Sequence, residues 1–159
     1  MSEYSPQHLD AIDRAILNEL QQDGSLSKVE LARRISLSPP AAHARIKRLE
    51  AQGYIRKYAA LLDREKVGYD LLCMVGVTLR WHDTEHIQAV RDAIHQMPEV
   101  LECYFLTGEV DYLLKVVVRN RKELETFLTD KLTPIRGVGR VSTSVVLEEM
   151  KNTTVLKLD

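Results

Sequence analysis

Leu9, Ile12, Ile16, Leu17 and Leu20 recur at the spacing of one helical face, which predicts a helix over residues 9–22 that stops before Gly24. Ser27 and Glu30 then form a capping box, in which hydroxyl and carboxylate satisfy opposite ends of the first turn. The helix they open turns Leu31, Ala32 and Ile35 inward and ends near Ser36. Ser38 as N-cap, with Pro39 where a missing N–H costs nothing, starts a third helix at once. Its inner stripe is Ala42, Ile46 and Leu49, and Gly53 is the expected stop. Two short helices joined by a turn of about three to four residues predict a helix-turn-helix. Small Ala32 suits the point where the helices approach, and Leu37 plugs the turn. Residues 54–58 read as a strand carrying Arg56 and Lys57, a wing beside the helices.

Residues 59–70 are mixed in charge, contain Gly68 and precede a change of period, so they read as a linker between residues 1–58 and 71–159. The pattern then alternates. A strand over 71–80 is followed by a helix over 83–97 with Ile87, Val90, Ile94 and Met97 inside. Strands over 100–107 and 111–119 flank a tight loop at Gly108, Glu109 and Val110. Asn120 caps a helix with Leu124, Phe127, Leu128 and Leu132 as its stripe, and a last long strand runs over 138–149. Residues 153–158 suggest a short extra strand. The order β-α-β-β-α-β predicts a ferredoxin-like α+β domain. Tyr112, Leu114, Val116 and Val118 alternate toward the helices, as do Val141, Thr143 and Val145. The opposite face, with Leu113, Lys115, Val117, Ser142 and Ser144, has no helix left to cover it, so a second subunit is expected there.

Composition changes this picture only locally. An apolar fraction of 45% with 28% charged residues is ordinary for a folded chain. Met1 to Pro6 lack the basic and apolar pattern of a secretion signal, and no apolar run is long enough to span a bilayer, so a cytoplasmic location is expected. Cys73 and Cys103 sit inside apolar runs and are expected to be buried free thiols. The formal net charge of −1 hides a segregation. Residues 28–57 hold eight bases (Lys28, Arg33, Arg34, Arg45, Lys47, Arg48, Arg56, Lys57) against two acids, Glu30 and Glu50, a window of +6. That is the footprint of a polyanion-binding face on an acidic body.

On the third helix, Pro40, Ala41, Ala44, Lys47 and Arg48 lie opposite the apolar stripe, flanked by His43 and Arg45. A helix entering the major groove needs small side chains near its start and cations to hold phosphates. Ala41 and Ala44 meet the first need; Arg45, Lys47 and Arg48 meet the second. Ser38 and Pro39 complete the candidate DNA-binding set with Arg56 and Lys57, and the Ser38 hydroxyl is open to capping or to a phosphate.

The chain resembles the Lrp/AsnC family of feast/famine regulators over essentially its full length. The resemblance is carried by Leu9-Asp10-Ala11-Ile12-Asp13-Arg14-Ala15-Ile16-Leu17, Leu37-Ser38-Pro39, Arg45-Ile46-Lys47-Arg48-Leu49-Glu50, Gly53-Tyr54-Ile55 and Ala60-Leu61-Leu62-Asp63. In the second half it is carried by residues 107–116 and 145–151. The resemblance implies a winged helix-turn-helix joined to a so-called RAM domain. It implies homodimers assembling to tetramers or octamers, double-stranded DNA as partner, and a small effector, usually an amino acid. By position the implied effector residues are Thr107, Gly108, Glu109, Asp111, Tyr112, Ser142 and Ser144. From the residues themselves, Gly108 permits a sharp turn exposing N–H groups to a carboxylate, and Asp111 suits either an ammonium or a cap at the turn. Two departures stand out: Ser36 replaces the family's usual turn glycine, and Ser144 replaces an aromatic residue of leucine-responsive members.

Rival readings have less behind them. No nucleophile elbow, P-loop, dinucleotide fingerprint or Cys/His zinc spacing occurs, so no enzyme, cofactor or metal is expected. His82 and His86 are four apart but lack a third ligand nearby in sequence. Haem-biosynthetic decarboxylases share the two-domain architecture, and an effector-independent, DNA-architectural protein is the stronger alternative.

Overall fold

The computed structural model describes residues 9–159. The expectation about Met1 to Pro6 therefore lies outside the described residues. The chain divides into two compact units, residues 9–61 with Lys151–Asp159, and Leu62–Met150.

The first unit is three helices, α1 Ala11–Gln22, α2 Lys28–Arg34 and α3 Pro39–Ala51. Each starts on its cap: Asp10 accepts from the Asp13 amide, Ser27 from Glu30 and Ser38 from Ala41. The reciprocal capping box, however, is Asp10 with Asp13, since the Glu30 carboxylate bonds Arg33 and Arg34 instead of returning to Ser27. The core is small: Ile16, Leu17, Leu31, Ile46 and Leu49, with Ala32 and Ala42 buried at the close approaches. Full burial of side chains such as Ile16, Leu31 and Leu49 contributes about 2 kcal/mol each. Helix α3 ends on Gly53 at φ 77°, with the Gly53 and Tyr54 amides returning to the Glu50 and Leu49 carbonyls. Helix α2 ends in the same way without a glycine. Ser36 sits at φ 56°, and the Ser36 and Leu37 amides return to Arg33 and Ala32.

Two expectations for this unit need correcting. Residues 54–58 form no strand: among the described residues no neighbouring strand offers them a ladder, and Tyr58 instead donates its hydroxyl to Glu50 at 3.1 Å. Residues 153–158 are not a strand of the second domain either. They pack within the first unit, with Leu158 against its core and Gln21 of α1 bonded to Leu156.

The second unit contains β1 Leu71–Leu79, α4 Thr84–His95, β2 Val100–Phe105, β3 Tyr112–Val118, α5 Arg121–Thr126 and β4 Val138–Val145. Helix α5 runs on into a π-helical turn, Phe127–Leu132. The strands form one antiparallel sheet in the order β2-β3-β1-β4, the ferredoxin-like arrangement. Cys73, Val75, Val77 and Leu79 of β1 and Tyr112, Leu114, Val116 and Val118 of β3 face Val90 and Ile94 of α4, and Leu124, Phe127 and Leu132. Cys103 is exposed rather than buried, because β2 is the edge strand; Cys73 is buried, and both thiols are free.

The other sheet face carries Met74 opposite Lys115 and Ser144, and Gly76 opposite Leu113 and Ser142. Strand β4 ends at Val145, since β1 begins at Leu71 and offers no further backbone partner beyond the Val146 amide bonded to Leu72. The chain then doubles back far enough for Glu149 to reach Lys115, two strands away, at 3.7 Å.

Candidate functional sites, a DNA-reading helix and an effector loop

Helix α3 presents Ser38, Pro39, Pro40, Ala41, Ala44, Lys47 and Arg48 outward, with His43 and Arg45 half-buried. Its apolar stripe packs on α1 and α2 and so leaves the small-residue face free at the N-terminal end. The Ser38 hydroxyl is occupied as the helix cap, accepting from Ala41 at 3.4 Å. Arg56 and Lys57 are exposed in the segment after the helix.

The three helix cations differ in kind. Asp13 of α1 is 2% exposed, and both arginines close on it. Arg45 donates to Asp13 at 2.9 Å and to Asp10 at 2.5 Å, and Arg48 donates to Asp13 at 2.6 and 2.7 Å. The Arg45 guanidinium, with the Asp13 amide, holds the Asp10 carboxyl down to about 2. Lys47 is exposed and stands in no ion pair among the described residues. Charge reasoning assigned all three cations to phosphates, and Asp13 went unnoticed. The signal was present, because a carboxylate one turn before Ile16 and Leu17 lies on the buried stripe and demands a cationic partner.

The second site is the loop between β2 and β3. The Leu106 amide donates to the Asp111 carbonyl at 2.9 Å and closes the loop's base. Asp111 is fully engaged: its amide donates to Val77, its Oδ2 accepts from the Leu79 amide at 2.7 Å, and its Oδ1 meets His82 Nε2 at 2.8 Å. Burial alone would push its carboxyl up, but the Leu79 amide and His82 outweigh it and hold the carboxyl below its ordinary value. Through these bonds Asp111 ties the loop to the end of β1 and to His82. Thr107, Gly108 and Glu109 are exposed, and Gly108 at φ 146° sits in open space.

Gly76 explains where the loop rests. A methyl group there would lie 2.7 Å from Ser142 Oγ and 3.0 Å from Val110 Cγ1. The missing side chain lets Val110 of the loop and Ser142 of β4 both approach the Gly76 backbone; Ser144 stands one register step further, opposite Met74. Tyr112 points the other way, into the helix-covered core, with its ring 5.1 Å from Phe105. Sequence reasoning missed Gly76, although a glycine inside a strand is itself a sign of close approach, and it took Val110 only as part of the tight loop and His82 only as half of a metal pair. His82 and His86 do not converge: His86 pairs with Asp83 at 2.7 Å.

A model described as the Lrp/AsnC ligand-binding domain matches residues 72–156, and one described as a winged helix-turn-helix DNA-binding domain matches residues 9–56. The chain belongs to the Lrp/AsnC family. It is 40% identical to the leucine-responsive regulatory protein of Klebsiella pneumoniae over 148 residues, 93% of this chain and 90% of that one. It is 36% identical to the transcriptional regulator AzlB of Bacillus subtilis, over 95% of this chain and 96% of that one. Among solved structures, a Neisseria meningitidis transcriptional regulator in complex with L-methionine superposes with a TM-score of 0.92 at 39% identity, covering 96% of this chain and 98% of that one. Like these members of the Lrp/AsnC family, the chain is a transcriptional regulator that couples a DNA-binding unit to a ligand-binding unit in one α+β polypeptide.

Proposed function

We propose that this regulator binds double-stranded DNA through α3 and changes its affinity or assembly when an amino acid binds at the 107–111 loop. The observation that carries the reading is the full-length likeness to a regulator solved with L-methionine, joined to a loop whose Val110 lies, like Ser142 of β4, against the bare backbone of Gly76. Ala41 and Ala44 let the helix backbone approach the groove, while Lys47, Arg56 and Lys57, exposed and in no ion pair among the described residues, supply cations for phosphates. Arg45 and Arg48 serve the same surface from their pairs with Asp13, Arg48 remaining half-exposed. Ser38, Pro39, Pro40 and His43 complete the contact set at the helix start.

In the effector site, the amides of Thr107, Gly108 and Glu109 meet a carboxylate, and the hydroxyls of Ser142 and Ser144 meet polar groups of the ligand. Asp111 and Tyr112 hold the loop from behind. The small hydroxyl at Ser144 leaves room where an aromatic side chain would narrow the site. Homodimers pair through the sheet face that carries Leu113, Lys115, Ser142 and Ser144, and further assembly brings loops of different dimers together. A cytoplasmic regulator with no catalytic role follows from this reading.

The test is a thermal-shift screen of purified protein against the twenty amino acids, followed by DNA affinity with each hit. The expected result is stabilisation by a subset and a shift of about fivefold or more in DNA affinity. No shift with any amino acid would favour an architectural, effector-independent DNA binder instead.

A further inference from the structure

We propose that residues Lys151–Asp159 act as a strap that carries the state of the effector unit to the recognition helix; the proposal rests on the amino-acid reading above. After β4, the strand that holds Ser142 and Ser144, only residues 146–150 intervene before the chain joins the DNA-reading unit. There its attachment is specific. The Gln21 side chain reads the Leu156 backbone from both sides: its Nε2 donates to the Leu156 carbonyl at 3.0 Å, and its Oε1 accepts from the Leu156 amide at 2.6 Å. Asn18, one turn earlier on α1, donates to the Leu158 carbonyl at 3.4 Å. Leu158 packs against the cluster of Ile16, Leu17, Leu31, Ile46 and Leu49.

A segment with no secondary structure gains little by lying on a helix unless something fixes its backbone, because each ordered residue costs about 1–2 kcal/mol of conformational freedom. Here one glutamine amide supplies the paired donor and acceptor that a neighbouring strand would supply. The same helix then grips α3, since Asp13 holds both Arg45 and Arg48. The physical route thus runs from β4 through the strap to Asn18 and Gln21, along α1 to Asp13, and across to the recognition helix. A pull or release at β4 changes how firmly α1 is held, and with it the placement of Arg45 and Arg48.

The test uses the full chain with Gln21→Ala and Leu158→Ala together, and Lys157→Ala, an exposed residue paired only with Asp159 among the described residues, as control. DNA affinity is measured on a labelled duplex selected from a random pool, with and without the twenty standard amino acids supplied together. Hydrogen exchange of α1 and a thermal shift are recorded in parallel. The wild type and the control should change affinity by about fivefold or more, and the double variant by less than about twofold. The double variant should still show the amino-acid thermal shift and should exchange faster in α1 and 151–159. A double variant with the wild-type ratio of affinities, or with unchanged exchange in α1, overturns the strap. Loss of the thermal shift in the double variant overturns it too, since the segment would then belong to the effector site. No response in the wild type sinks the amino-acid reading itself, and the coupling with it, before any variant is compared.

Discussion

The two units of this regulator are stable for different reasons. The effector unit buries fourteen side chains in one sheet-and-helix cluster, including Tyr112 and Phe127, whereas the DNA-reading cluster among the described residues has five. The smaller unit makes up the difference at its edges: three N-caps, a buried carboxylate gripping two arginines, and a borrowed segment of chain. A unit held by polar contacts at its surface can be adjusted by small changes there. A unit held by a dry core cannot, and it suits a site where loop and strand must keep a fixed spacing.

This contrast is open to attack by substitution. The largest effect should come from the stiff core. Leu114→Ala removes a side chain with no exposure and should cost about 3 kcal/mol in chemical denaturation. A loss under about 1 kcal/mol would deny that the sheet core dominates. Asp13→Ala strips two arginines of their shared partner. Because Arg48 is half-exposed, the cost should be about 2 kcal/mol, below the range for a fully buried pair, and it should appear as faster hydrogen exchange in α1 and α3 only. Gly76→Ala should cost about 1–2 kcal/mol by pushing Val110 and Ser142 apart, and it should weaken amino-acid binding more than DNA binding. Equal losses of both would remove the special role given to the loop's seat. The smallest change is a gain: Ser36→Gly relieves a left-handed serine and should stabilise by about 0.5–1 kcal/mol.

Acid should separate the units in another way. Asp10 is held down to about 2 from its ordinary 3.8, and Glu30, bonded to Arg33 and Arg34, to about 2 from 4.5. A carboxylate lowered in the folded state stabilises it above the ordinary value, and that help disappears as pH falls toward the lowered one. The DNA-reading unit should therefore loosen between about pH 4.5 and pH 2, as followed by exchange or helical circular dichroism. In Asp10→Asn with Glu30→Gln that pH dependence should flatten.

Much of the molecule was legible because local chemistry decided it. Ser27, Ser38, Asn120 and Gly53 act where their caps and stops belong, and period-two alternation placed Tyr112, Leu114, Val116 and Val118 on the covered face. What escaped was decided at a distance. Residues 54–58 and 153–158 have strand-like composition, but a strand exists only where a neighbouring backbone answers it; for the second segment the Gln21 side chain answers instead. The +6 window counted Arg45 and Arg48 as free, while folding spends much of their charge on Asp10 and Asp13. The place of Asp111 in a turn gave no sign that its carboxylate would meet Leu79 and His82, which lie about thirty residues away in sequence.

The central claim is that one chain reads DNA with α3 and tunes that reading with an amino acid at the 107–111 loop. The most direct measurement is fluorescence anisotropy on a selected duplex across a salt series, for wild type and Lys47→Ala, each with and without the twenty amino acids. A steep salt dependence is expected, with a slope that falls by about one for Lys47→Ala, and a shift on adding amino acids in both proteins. An unchanged slope in the variant, together with curves that do not respond to amino acids, would contradict it.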